Sequence, residues 1–408
     1  MHPNFKRTKY ACYFSYLAMA SVFSLPPMLF VTFHEMYGIS YTLLGTLVLT
    51  NFCTQMTVDL IFTFFPQWFN IKTTVRVMPL LTSAGLLLYA LVPTLFPQYA
   101  YTGLLLGTVV FSVAAGLSEV LLSPLVAALP SDNPERDMSA LHSLYGYGVL
   151  IVVLISTVLL KLFGRGNWMY LTMAWAILPL ISFLLFNIVP LPEYTISHTK
   201  GEGGSKHRTL ILGLCMVCIF MGSAAENVMT VWVSSFIENA LHLPKTAGDI
   251  LGMAVFAVLL AFTRTVYAKY GKNILSVLIF SMLGAILLYL VAGLVSNAII
   301  AMIACVLLGI CTSMLWPGTL ILMEERLPNP GVAAYALMAA GGDCGASVAP
   351  QMMGIVVDKV SESSWATQIS ATSGLSTEQI GMKVGVLSAV LHLRPDGYAR
   401  RRPQLGTG

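Results

Sequence analysis

Residues 101–128 read YTGLLLGTVVFSVAAGLSEVLLSPLVAA, twenty-eight residues with Glu119 as the only charge. A hydrocarbon core about 30 Å thick needs roughly 20 helical residues to cross it. This stretch is therefore long enough to span a bilayer, and a charge at its middle costs about 2.5–3.5 kcal/mol or more. Glu119 is read as a residue with a task. Ten further stretches share the character: Tyr10–Phe33, Tyr41–Phe65, Val75–Phe96, Leu141–Phe163, Trp168–Pro190, Thr209–Ile237, Ala247–Ala268, Ile274–Leu294, Ala298–Met323 and Val332–Val357. Together they make an all-α polytopic membrane protein.

Composition agrees. Of 408 residues 57% are hydrophobic and 10% charged, against about 25% charged in a soluble domain. The net charge of +4 is spread among loops and points to no nucleic acid. Seven cysteines all fall in apolar stretches, and Cys215-x-x-Cys218 reads as core packing, since free cysteine behaves as a small hydrophobe. The chain holds no His/Cys metal set, no phosphate-binding glycine loop and no nucleophile motif, so neither an enzyme nor a cofactor is expected. The basic start MHPNFKRTK leads into a full-length span without a small-residue cleavage site, which reads as no cleavable signal.

Connections are short except at Leu191–Arg208 and from Asp358 to about Gln379. The first is polar with a GEGGS core and reads as a cytoplasmic linker. It divides an N-terminal six-helix half, 1–190, from a C-terminal half, 209–393, with a basic, disordered tail over 394–408. With the N-terminus inside, seventeen Lys and Arg fall on the cytoplasmic side and five outside, the bias expected of a multi-pass protein of the cell membrane. The twelfth span, Ile380–Leu393, is short for a crossing, and the RPDGYARRRP run after it cannot face lipid.

The halves echo one another. Ser123-Pro124 is followed by Leu129-Pro130, a loop and a helix with Tyr145, Gly146 and Gly148; Trp316-Pro317 is followed by Leu327-Pro328, a loop and Gly341-Gly342. Repeated halves with a site between them characterise transporters.

Four segments carry a family resemblance: AAGLSEVLLSPLVAALP in the fourth span, FMGSAAENVMTVWVSSFIENAL in the seventh, GICTSMLWPGTLILMEERLP in the tenth and GASVAPQMMGIVVDK in the eleventh. In order and content they resemble the major facilitator superfamily, and within it the fucose/galactose/glucose:proton symporter type. The resemblance implies two six-helix halves around a midplane cavity, alternating access, and a proton-binding acid at Glu119. Two departures stand out. The loop FFPQWFNIKTTVR lacks the Asp and Gly of the family's cytoplasmic gate, and SVFSLPPML in the first span lacks the family's acid. The later loop RTVYAKYGKN keeps basic residues, which implies gating by Arg264 and Lys269.

The residues themselves point the same way. A carboxyl group at the depth of Glu119 can exchange a proton as a cavity opens to either side. Asn51, Gln55 and Asp59 lie at i, i+4 and i+8, so one face of the second span is polar; such a stripe faces water or protein rather than lipid. Asp59 would sit at the cytoplasmic end as a gate. Glu226, Thr230 and Ser234, with Asn227 beside them, form a stripe on the seventh span, and Asp343, Ser347 and Gln351 another on the eleventh. A sugar needs fixed donors and acceptors plus an aromatic face, for which Trp232, Trp316 and Tyr147 are candidates. No basic residue is read deep in a span, so Glu119, Glu226 and Asp343 are expected to lack a buried cation and to bind H⁺ or Na⁺. His142 reads as a structural donor. Pro26-Pro27, Pro124 and Pro317 break backbone bonds where hinges are useful.

The expected function is secondary active, cation-coupled uptake of a small polar solute, a sugar, by a monomer. The alternatives are a drug or metabolite exporter of the same superfamily, which 21 methionines keep open, and a non-transporting, sensor-like paralogue.

Overall fold

The computed structural model describes residues 5–65, 68–130, 134–192, 206–327 and 331–392. The first half comprises α1 (Phe5–Met28), α2 (Phe30–Tyr37), α3 (Tyr41–Phe64), α4 (Ile71–Leu95), α5 (Ala100–Ala127), α6 (Pro134–Phe163) and α7 (Trp168–Ile188). The second begins with α8 (Lys206–Ser235), the single turn α9 (Lys245–Ala247), α10 (Phe256–Tyr270), α11 (Ile274–Leu294) and α12 (Ala298–Thr312). It ends with α13 (Leu315–Arg326), α14 (Gly331–Ser361), α15 (Ser364–Ser373) and α16 (Thr377–Ser388). No strand occurs among the described residues.

Among the described residues nine helical segments are long and apolar enough to cross a membrane, ten if α1 and α2, bent by 47° across Leu29, count as one broken span. The bend follows from Pro26 and Pro27, which donate no backbone N–H and leave the carbonyls of Val22 and Phe23 without helical donors. Two stretches, Phe236–Ala240 and Gly248–Val255, are wound as wide π-helix and extend α8 and α10. Polar side chains start the helices after tight turns. Ser40 caps α3, Asn70 caps α4, Asn297 caps α12, and Ser376 with Gln379 forms a capping box on α16.

Helix pairings repeat six spans apart. α1 packs on α6 as α8 packs on α14; α3 on α5 as α10 on α12; α4 on α5 as α11 on α12; α4 on α7 as α11 on α16. Across the halves, α3 meets α14 and α6 meets Gly248–Val255, again as counterparts. The perimeter is apolar, with Phe280, Ile188 and Leu287 more than 60% exposed, as a lipid-facing surface requires.

Three expectations need adjustment. The stretch from Asp358 to Gln379 is not an open loop: α14 runs on to Ser361, and α15, capped by Ser363, fills most of the rest. The eleventh span is accordingly longer at both ends than Val332–Val357. The twelfth helix starts earlier, at Thr377, because the capping box supplies a start signal that hydropathy does not register. Of the expected linker, Lys206–Arg208 already belong to α8 and residues 193–205 lie outside the described residues, as does the tail over 394–408.

Candidate functional site: a cavity between the halves

A cavity of about 440 Å³ lies between the halves, lined from α1, α3, α5 and α6 on one side and α8, α10, α13 and α14 on the other. Its walls carry Asn51, Gln55, Thr108 and Glu119 from the first half, and Glu226, Asn227, Thr230, Arg264, Trp316 and Asp343 from the second. The volume falls within the roughly 300–1,000 Å³ of small-molecule sites.

In the first half the polar wall is cross-linked. Gln55 Nε2 donates to Asn51 Oδ1 at 3.0 Å, and Ser112 Oγ donates to the same oxygen at 2.6 Å. One carboxamide thus fixes two helices, α3 and α5, and keeps the amide edges aligned. Glu119, on α5, is exposed to the cavity and has no hydrogen-bonding partner among the described residues. Thr108 is 2% exposed and its Oγ1 is also unpartnered.

In the second half Arg264 Nη2 stands 3.0 Å from both carboxylate oxygens of Glu226, and its Nε donates to the Ser313 carbonyl at 2.9 Å. This corrects the reading that no basic residue lies deep in a span and that Glu226 is unpaired. It also moves Arg264 from a surface gate to the cavity wall. Wide winding over Gly248–Val255 shifts the register of α10, so hydropathy alone misplaces its depth. Lys269 does lie at the exposed end of α10, its Nζ 5.3 Å from the Tyr270 ring centroid.

Other members of the polar stripes do not reach the cavity. Tyr147 is 62% exposed on the perimeter, and Tyr145, two residues and about 200° away around α6, lines the site instead. Trp232 is 1% exposed, donates to the Pro350 carbonyl at 3.0 Å and packs on Phe30 at 5.2 Å between ring centroids. Ser347 is buried and bonds the Cys344 carbonyl. Gln351 lies against Gly45 of α3, with Oε1 buried and unpartnered. Asp59 is half-buried below the cavity, its Oδ1 buried and unpartnered. Ser234 bonds Asp249 rather than a solute. The side chain of His142 lies outside the described residues. The lining aromatics Tyr16, Phe23, Phe52 and Phe111 carry no polar-stripe signal, which is why the sequence reading passes over them.

The cavity is sealed at the face away from the N-terminus. Beneath the seal, Phe30 of the first half packs on Trp232 of the second. Above it, Lys245 Nζ donates to the Met28 carbonyl at 2.6 Å and pairs with Asp249 at 3.3 Å. Asp249, 1% exposed, also accepts from Thr157 across the halves. Arg165 pairs with Glu238, which lies 3.9 Å from Lys245. On the other flank the Asp358 carboxylate accepts the backbone N–H groups of Tyr41, at 3.2 Å, and Thr42, at 2.6 Å, capping α3 from the opposite half. Tyr41 Oη donates to Glu378 and accepts from Asn239 Nδ2 at 2.6 Å. The sequence offers one local hint of this layer, the i, i+4 spacing of Lys245 and Asp249.

A model of the Major Facilitator Superfamily matches residues 11–350. A search of curated protein sequences returns no match. Among solved structures, the chain is similar to a bacterial homologue of the human lysosomal transporter Spinster in an inward-facing, occupied conformation (TM-score 0.75, 14% identity, 98% of this chain and 96% of that one). It is also similar to the xylose transporter of E. coli in an inward-open conformation (TM-score 0.71, 14% identity, 95% of each chain). The fucose:proton symporter of E. coli matches at TM-score 0.56 and 13% identity, over 95% of this chain and 98% of that one. At these identities the likeness speaks for the fold. With the family model covering most of the sequence, the chain belongs to the Major Facilitator Superfamily and is a multi-pass membrane transporter rather than an enzyme.

Proposed function

We propose that this chain takes up a small polar solute, a sugar, coupled to H⁺ or Na⁺, with Glu119 as the coupling acid. The observation that carries the reading is Glu119 itself, a carboxylate open to an inter-half cavity with no partner among the described residues. A group so placed binds a cation or proton most strongly when the cavity shuts around it and desolvates it. Asn51, Gln55, Asn227 and Thr230 supply donors and acceptors for hydroxyls, and Trp316 an aromatic face. The Lys and Arg bias puts the N-terminus in the cytoplasm of a cell-membrane protein. The sealed face is then external, and the conformation faces inward. Exchange with the outward-facing state requires breaking the Lys245, Arg165 and Asp358 contacts while the halves rock about the site. The segment over 191–208 joins the halves, and the protein acts as a monomer.

The test is uptake of labelled hexoses into proteoliposomes under an imposed proton or sodium gradient, comparing wild type with Glu119→Gln. Expected is accumulation by the wild type, and in the variant loss of accumulation with retained sugar exchange. Accumulation by Glu119→Gln would remove Glu119 from the coupling role. Absence of hexose movement under either gradient would overturn the sugar reading.

A further inference from the structure

Resting on that reading, we propose that the solute is an amino sugar, a polyhydroxylated ring bearing a protonated amine, and that Asp343 holds the amine. The lining residues include three carboxylates and one cation. Arg264 is committed to Glu226, at 3.0 Å from both of its oxygens. Glu119 and Asp343 are left without a neutralising side chain among the described residues. Coupling to a single ion occupies one of them. The other lines the same cavity from the facing half. A second confined carboxylate is neutralised by a proton or by a cation, and a cationic solute entering the cavity supplies the second.

The surroundings of Asp343 suit an organic ammonium. The Trp316 indole lies with its Nε1 edge against Gly342, the neighbour of Asp343, and both Trp316 and Asp343 line the cavity. Asp343 offers an ammonium group opposite charge, and Trp316 lends the same cavity aromatic surface.

The first half offers the complementary surface. The Thr108 hydroxyl, 98% buried by its 2% exposure, lacks a partner and lies on the cavity wall. The cross-linked amides of Asn51 and Gln55 share its wall. A hydroxyl-reading surface on one half thus faces an amine-reading corner on the other.

The decisive comparison is uptake of D-glucosamine, D-glucose and N-acetyl-D-glucosamine into proteoliposomes under a proton or sodium gradient, near neutral pH where the free amine is still largely charged. Acetylation keeps the ring and removes the charge. Expected for the wild type is a preference for glucosamine over both neutral sugars of about tenfold or more, the scale of a charge-assisted hydrogen bond. In Asp343→Asn the ratio should fall to near one, and Asp343→Glu should restore part of it. Equal handling of the three sugars by the wild type, or a preference that survives in Asp343→Asn, would overturn the proposal while leaving sugar uptake standing. Glucosamine movement that ignores both gradients would sink the coupling reading and leave the amine site standing. Failure of all three sugars to move would remove both.

Discussion

Arg264 reaches Glu226 across a distance of 38 residues in sequence and joins it at 3.0 Å on the wall of the cavity. The pair links α8 to α10, and the Ser313 carbonyl fastens Arg264 to the turn between α12 and α13. Three spans of the second half therefore share one guanidinium. Arg264→Met should destabilise the protein by about 1.5–3 kcal/mol, the range for hydrogen bonds to charged groups. The figure lies below that of a fully buried pair because 38% of the Arg264 side chain is open to the cavity. Thermal unfolding in detergent checks it. The double variant Glu226→Gln/Arg264→Met should melt above Arg264→Met alone, since it removes the carboxylate that loss of Arg264 leaves unpaired.

Removing Lys245 should open the sealed face. Lys245→Met leaves Asp249, 1% exposed, with only hydroxyl partners, and stranding a buried charge costs about 3–5 kcal/mol. Spin labels at the exposed Met36 and Thr372 sit on opposite halves near this face. Their distance distribution should gain a longer component in the variant, and an unchanged distribution would deny Lys245 a part in the seal.

Asp358 caps a helix that belongs to the other half. Asp358→Ala should free the amides of Tyr41 and Thr42, with a loss of about 0.5–2 kcal/mol, as for other helix caps. Hydrogen exchange in the peptide spanning residues 38–46 should accelerate. Asp358→Asn, which keeps an acceptor oxygen without the charge, should fall between the two.

Gly45 allows α3 and α14 to approach. A Cβ there would lie 2.9 Å from Gln351 Oε1 and 3.0 Å from Gln351 Cα. Gly45→Ala should therefore lower thermal stability by about 1–3 kcal/mol, the usual cost of overpacking. Gly213→Ala, where a Cβ meets nothing within 4 Å, serves as the neutral control.

Hydropathy makes the spans legible because lipid imposes one rule along the whole chain, and the Pro26-Pro27 pair marks the broken first span in plain view. The stripes were read less well. On α14, Asp343, Ser347 and Gln351 stay on one side of the helix, but the neighbour on that side changes along its length. It is the cavity at Asp343 and the backbone of α3 at Gln351. Spacing reports direction around an axis and carries no information about what stands there. Tyr147 and Trp232 fail for the same reason, since an aromatic ring suits lipid, core and cavity alike. The seal was illegible because its contacts join residues as far apart as Lys245 and Met28, 217 positions in sequence. The sequence singles out Arg264 as a gate but not as the partner of Glu226, since their pairing joins two spans 38 residues apart.

The Met28 carbonyl that receives Lys245 sits at the bend between α1 and α2. The point about which the first span flexes is therefore also the point at which the two halves are fastened. Rotation of α2 moves the acceptor, and release of Lys245 frees the joint, so neither motion proceeds far without the other. The door and its hinge share one peptide group, and a substitution that straightens the first span should change how long the door stays shut.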